Sequence, residues 1–245
     1  MNRVFVTTSW DDGHALDLRV ANLLKKYQLK GTFYVPKVFE GRLAEPDIAL
    51  LSQEHEIGAH TINHKILTDL EISHAQMEIE ESKTWLETVT RQEIISFCYP
   101  WGKYSDEIVS FVKDAGFSCA RTVAGLSISK PANPWLMPTT LHVYPFPFRK
   151  RGQKAYHWRR LLQPVTRDFF ALRKLHVPFY KMRSWVTLTK SVFDATLQQG
   201  DYFHLWGHSW EIELYGMWDD LEEIFRYIAR RKECMYVNNS QVIKR

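Results

Sequence analysis

Short β-branched or aromatic runs alternate along this chain with longer segments whose apolar residues recur at helical spacing. Val4–Ser9 (VFVTTS) reads as a buried strand that stops at the turn signal Asp11-Asp12-Gly13. Ala15–Tyr27 carries the helical period, with basic residues in its last turn that suit the helix dipole. Gly31 then introduces a second strand, Thr32–Val35. A strand, helix and strand in this order form a βαβ unit, normally parallel and right-handed. The alternation continues with a helix over Ile48–His55, a strand over Glu56–His60 and a long charged helix over Glu71–Thr88. Ile94–Tyr99 reads as a strand closed by the turn Pro100-Trp101-Gly102. Ser105 caps a helix running through Ala115, Gly116 ends it, and Phe117–Thr122 is the next strand. Further on, Asp201–Ser209 is a strand, Asp219–Arg231 a helix and Met235–Asn238 a last strand. Repeated βα units over this length predict a closed barrel, with a doubly wound sheet as the second choice.

The pattern breaks between Pro131 and Lys190. Prolines at 131, 134, 138, 145, 147, 164 and 178 are expected to interrupt any long element. The expectation is a single domain over residues 1–245, with 131–190 as an insertion or cap.

Charge changes the picture in the same region. Arg149 to Lys190 holds twelve Lys/Arg and one acid, Asp168, whereas the remaining chain holds twenty Lys/Arg and twenty-seven acids. Basic and aromatic side chains interleave there, from Arg149, Lys150 and Arg151 through Tyr156, Trp158, Arg159 and Arg160 to Phe169, Phe170, Arg173 and Lys174. A solvated cap, an anionic membrane surface, a phosphorylated sugar carrier and nucleic acid all fit such a segment. The three cysteines, Cys98, Cys119 and Cys234, are widely spaced and form no CxxC pair, so free buried thiols are expected. The opening MNRVFVTTS is short and polar for a signal peptide, and no apolar run reaches the ~18 residues of a membrane span. The expected location is the cytoplasm, peripheral to the inner membrane surface if the basic segment binds it.

Four clusters carry candidate chemistry, each at a predicted strand end. Asp11 and Asp12 are adjacent carboxylates that stay ionised most easily beside a cation, although an Asp-Gly turn alone would also explain them. His60 and His64 stand in an HxxxH spacing that brings two imidazoles within reach of one ion. Two histidines and one carboxylate leave coordination positions open, as a catalytic metal requires. In Cys98-Tyr99-Pro100-Trp101-Gly102, the proline and glycine impose a tight turn that can point the Trp101 N–H into a cleft. In the last cluster, strand alternation puts His204, Trp206 and His208 on one face. His14, His55 and His74 read as surface residues or outlying neighbours of the site.

The order SWDDG, HTINH, CYPWG and HLWGH resembles the polysaccharide deacetylase (NodB-homology, carbohydrate esterase family 4-like) family, and Gly31–Val35 resembles its second strand. The likeness spans Val4 to about Gly125 and Asp201 to Glu211. It implies an irregular, partly open (β/α)7-type barrel, here with a basic, aromatic-rich insertion, and a divalent metal, usually zinc, at the strand ends. Carried over by position, Asp12, His60 and His64 would bind the metal and Asp11 would be the general base. The Trp101 N–H would share the oxyanion, and His208 would be the general acid, with His204 as the alternative. The implied reaction is removal of an N-acyl group, expected to be N-acetyl, from an amino sugar of a polysaccharide or its lipid- or nucleotide-linked precursor. A deformylase or other amide hydrolase on the same site, or a non-catalytic glycan-binding relative, are the alternatives. With such a substrate the basic segment fits a phosphorylated carrier or an anionic membrane surface, and no specific nucleic acid is expected.

Two departures stand out. The family's third motif commonly begins with an arginine that holds the catalytic aspartate, and Cys98 stands there instead. Arg121, at the end of the next strand, is the candidate substitute. The acidic motif that tunes the late histidine has no clear match; Glu211 could serve.

Overall fold

A computed structural model describes residues 3–145 and 163–243, and of residues 163–168 the backbone alone. In chain order the strands are β1 (Val4–Asp11), β2 (Thr32–Val35), β3 (Glu56–Ala59), β4 (Ser96–Cys98), β5 (Cys119–Arg121), β6 (Leu141–His142), β7 (Tyr202–Gly207) and β8 (Cys234–Tyr236). The helices are α1 (Asp17–Tyr27), α2 (Glu45–Leu51), α3 (Ile72–Thr90), α4 (Asp106–Asp114), α5 (Gln163–Lys174), α6 (Trp185–Gln199), α7 (Ser209–Tyr215), α8 (Trp218–Ile228) and α9 (Asn239–Ile243).

The strand β1 is buried along its whole length and organises the sheet. One edge pairs with β7 from Phe5 to Trp10. The other edge is shared, with Val4–Val6 taking β8 and Ser9–Asp11 taking β2. All pairings are parallel, in the order β5-β4-β3-β2-β1-β7-β6. The gap between the outer strands is bridged by one short stretch: Met137 pairs with Arg121 of β5, and Leu141 pairs with Leu205 of β7. The sheet therefore curls into an irregular, partly open (β/α)7-type barrel.

The helices cover the barrel through apolar stripes. On α8, Trp218, Leu221, Ile224, Phe225 and Ile228 are buried at helical spacing. Phe225 meets Trp10 of β1 edge-on at 6.1 Å, and truncating such a ring to alanine typically costs ~3–5 kcal/mol.

Several elements differ from the sequence expectation for identifiable reasons. The strand β1 continues two residues beyond Ser9, because Ser9–Asp11 find partners in Thr32–Tyr34 and Trp10 fills the core. The second helix starts earlier than Ile48 and ends at Leu51, since Pro46 occupies its first turn, where a missing N–H does no harm. The proline-rich region is not devoid of long elements: it holds α5 and the start of α6. Pro164 falls at the start of α5 and Pro178 between the helices, so neither interrupts one. Ser184 caps α6 by accepting the Thr187 N–H at 3.2 Å. The three cysteines are buried thiols, as expected. Residues 149–162 of the basic segment lie outside the described residues.

Candidate active site

Because the strands run parallel, their C-terminal ends share one rim, and the candidate residues collect there. Asp11 ends β1 and Asp12 follows it; His60 follows β3; Cys98 ends β4; Arg121 ends β5; His142 ends β6; His208 follows β7. Asp12 turns the chain with a φ of 76°, a left-handed conformation that is uncommon outside glycine. Thr61 and His64 do the same at 68° and 51°. The carboxylate of Glu78, on α3, holds this second loop in place. Its Oε2 accepts the N–H groups of Ile62 and Asn63, each at 2.8 Å, and Oε1 accepts the Asn63 side-chain amide at 2.5 Å.

Asp12, His60 and His64 converge. Oδ1 of Asp12 lies 3.2 Å from His64 Nε2 and 3.8 Å from His60 Nε2, and the two Nε2 atoms are 3.1 Å apart. His60 Nδ1 lies 2.8 Å from the Cys98 carbonyl oxygen, to which it can only donate, so Nε2 is left as the lone pair facing the group. Burial and the neighbouring His64 ring lower the His60 pKa to about 4, so the imidazole is neutral at pH 7. Oδ2 of Asp12 accepts the Trp210 indole N–H at 2.8 Å, whereas Oδ1 is buried without a hydrogen-bond partner. Oδ1 of Asp12 and the Nε2 atoms of His60 and His64 thus face one point, at separations near the ~3.0–3.4 Å of ligands sharing an ion at about 2.1 Å. The donor set fits a divalent cation of the zinc type.

Beside this group, the Asp11 carboxylate meets Arg121. The guanidinium Nη2 donates to Asp11 Oδ2 and also lies 2.8 Å from Cys98 Sγ, and both Asp11 and Arg121 are buried. Burial alone would raise the Asp11 pKa, but Arg121, and after it His60 and His208, hold it below its ordinary value. Asp11 Oδ1 is buried with no hydrogen-bond partner. Asp11, His60 and Cys98 also lie close enough to form a ligand group. With the guanidinium already on the carboxylate, that group is the poorer cation site.

The late histidines separate clearly. His204 is fully buried, with Nδ1 2.6 Å from Thr7 Oγ1 and Nε2 2.9 Å from Ser9 Oγ. Both ring nitrogens are engaged inside the barrel, as in a satisfied core histidine. His208 instead faces the rim, its Nε2 3.9 Å from Asp12 Oδ2 and its Nδ1 2.7 Å from Glu211 Oε2. Burial pulls its pKa down, yet the Glu211 hydrogen bond and the charges of Asp12 and Asp11 more than offset this and raise it. Glu211 Oε2 is also 3.3 Å from His142 Nε2, and the His142 ring stacks on Trp206 at 4.0 Å. Burial works to raise the Glu211 pKa, but the two imidazoles hold it well below the usual carboxylate range.

Trp101 sits in the Pro100–Gly102 turn after β4, with φ 58° and its side chain 68% exposed at the protein surface. His55 departs from expectation: it is buried against Phe33, neither at the surface nor beside the candidate site. Sequence reasoning passed over Glu78 and His142. For Glu78 a signal existed, since it shares the buried stripe of α3 with Ala75, Ile79, Ser82 and Leu86. A charged residue on such a stripe calls for a partner.

The sequence and the fold have relatives. A family model described as polysaccharide deacetylase matches residues 2–120. A peptidoglycan-N-acetylmuramic acid deacetylase of Bacillus subtilis is 27% identical over 114 residues, covering 46% of this chain and 24% of the relative. The matches to curated relatives span between 24% and 55% of their own lengths. A provisionally named polysaccharide deacetylase from Mycobacterium smegmatis has a similar fold, with TM-score 0.71 at 13% identity over 99% of this chain and 90% of that one. A family 4 acetyl xylan esterase from Clostridium thermocellum, solved with a cobalt ion, gives TM-score 0.59 at 15% identity over 98% of this chain and 90% of that one.

Proposed function

We propose that this chain, whose residues 2–120 match the polysaccharide deacetylase family model, is a metal-dependent hydrolase that removes an N-acyl group, N-acetyl in the first instance, from an amino sugar. The observation that carries the proposal is the meeting of Asp12, His60 and His64 beside a guanidinium-held carboxylate and a carboxylate-held imidazole.

Asp12, His60 and His64 would hold a divalent cation, with zinc the first choice for this nitrogen and oxygen set. Such an ion, when bound, supplies a Lewis acid for the carbonyl and lowers the pKa of water from 15.7 toward 7. The protein supplies the proton traffic. Asp11 stays ionised because Arg121 is fixed on Oδ2, and its unpartnered Oδ1 is the oxygen available to accept a proton from the attacking water. His208, its pKa raised and its ring steered by Glu211, would donate a proton to the leaving nitrogen, which departs poorly as an anion. His204 is set aside for this role because Thr7 and Ser9 occupy both of its nitrogens. The Trp101 N–H is assigned to the oxyanion, where losing one donor typically costs ~3 kcal/mol of barrier.

A formyl or other acyl group on the same site remains the second reading. The test is metal analysis of the purified protein followed by amine release from N-acetylated and N-formylated amino sugars. Metal-dependent release of acetate is the expected result. A protein that holds no divalent ion and releases no amine from either substrate would end the proposal.

A further inference from the structure

The two most exposed large apolar side chains among the described residues, Phe170 at 74% and Phe179 at 71%, lie nine positions apart, and Tyr180 beside them is 59% exposed. Between Asp168 and Asp194 the sequence contains no acidic residue, while Arg173, Lys174, Lys181 and Arg183 all fall within it. Arg173, Lys174 and Arg183 are exposed, and Lys181 is half-buried.

The segment is anchored, which gives the exposure its meaning. Leu172, Val177 and Met182 are buried in the core at 2%, 6% and 6% exposure. Within fourteen residues, three apolar side chains are therefore drawn inward while three aromatics are turned out. On α5, Phe170 stands at i, i+3 and i+4 to Arg173 and Lys174, so the ring and two cations share one face. Leu172, two positions from Phe170, points to the opposite side. The short turn Phe179–Arg183 repeats the pairing, with Phe179 and Tyr180 followed by Lys181 and Arg183. An apolar ring flanked by long cationic side chains matches the boundary of a bilayer, where rings enter the acyl edge and cations reach phosphate. No helix among the described residues is long and apolar enough to cross a membrane, so the contact would be peripheral.

We propose that the segment Phe170–Arg183, through the exposed Phe170, Arg173 and Lys174 of the helix and Phe179, Tyr180 and Arg183 of the turn, docks on an anionic lipid surface. The inference stands independently of the deacetylase reading. Docking combines two additive parts, insertion of the aromatics and attraction of the cations, and single-stranded nucleic acid is disfavoured because Phe170 lies on a helix face with its cations rather than along a groove.

The test is sedimentation of the full chain with vesicles of phosphatidylcholine alone or mixed with phosphatidylglycerol, at low and high salt. Binding to the anionic vesicles only, weakened by salt, is expected. Arg173→Ala with Lys174→Ala should lower partitioning about thirtyfold, from roughly 1 kcal/mol per cation near the surface. Phe170→Ser with Phe179→Ser should lower it further and leave the salt dependence in place. Because all four side chains are exposed, unchanged thermal unfolding of the variants will show that loss of binding is not loss of fold. Equal binding to both vesicle types, no binding to either, indifference to the four substitutions, or preferential retention on single-stranded RNA would each overturn the proposal.

Discussion

Arg121 and Asp11 form a buried ion pair across 110 residues of sequence, and Arg121 reaches Asp11 from β5, which stands four places from β1 in the sheet order. Its lateral partner in the sheet is Cys98, the position at which the family pattern commonly has arginine. The charge that steadies the carboxylate thus comes from β5, one strand beyond Cys98. Arg121→Ala should reduce turnover by at least a hundredfold while metal content stays near that of the parent protein. It should also destabilise the fold by ~3–5 kcal/mol, because Asp11 would remain buried and unpaired. The strand register predicts a rescue: Cys98→Arg in the Arg121→Ala background should recover part of both losses. Turnover unchanged in the single variant would rule out the assignment of Arg121.

Removing the ion is the direct test of the Asp12, His60 and His64 group. Prolonged chelation should abolish amine release, and added zinc should restore it. Saturating metal should also raise the unfolding free energy, by ~2.7 kcal/mol at a hundred times its dissociation constant. Asp12→Ala and His60→Ala should each remove bound metal and this metal-dependent stabilisation together. Metal bound stoichiometrically by the doubly substituted protein would place the ion elsewhere.

Much of this site was legible in the sequence because its residues follow strands that announce themselves. Asp11 and Asp12 come after the β-branched run of β1, and His60 directly after Ala59, so a parallel fold had to bring them to one rim. The remainder depends on relationships between distant segments. The pairing of Arg121 with Asp11 requires the β4–β5 register, which short strands do not reveal. The closing stretch through Met137 and Leu141 includes a strand of only two residues, too short to carry a period. His142 lies there, and its contact with Glu211 is visible only once β6 stands beside β7. The helices α5 and α6 were obscured because prolines signal breaks equally at helix ends and in loops.

Glu211 should set the alkaline limb of the reaction. A proton donor must be protonated to act, and the Glu211 carboxylate raises the His208 pKa against the opposing effect of burial. Activity should therefore persist to a higher pH than an ordinary histidine would allow. In Glu211→Gln the raising charge is gone, so the alkaline limb of kcat/KM should move toward acid. Turnover at pH 7 should fall about tenfold or more, within the range that general acid catalysis contributes. His142→Gln should shift the limb the other way, because Glu211 would then serve His208 alone. An alkaline limb that stays in place in Glu211→Gln would remove His208 from the acid role.

Acid should weaken the metal-free fold through its buried neutral histidines. Burial, aided by Lys30, lowers the His55 pKa to about 4, and burial holds His204 well below its ordinary 6.5. A histidine whose pKa is lowered on folding binds fewer protons in the native chain than in the unfolded one. Its stabilising contribution is complete above about pH 6.5 and is lost as the pH falls toward 4. Asp17, whose pKa burial raises well above its ordinary value, works in the opposite direction, so total stability is an ambiguous readout. The difference between the parent protein and His55→Leu is not ambiguous, since only the His55 proton is removed from the balance. In chelator, the variant should lose less stability between pH 6.5 and 4 than the parent, by at most about 3 kcal/mol. Parallel stability curves for the two proteins across that interval would show that His55 takes up its proton as readily folded as unfolded.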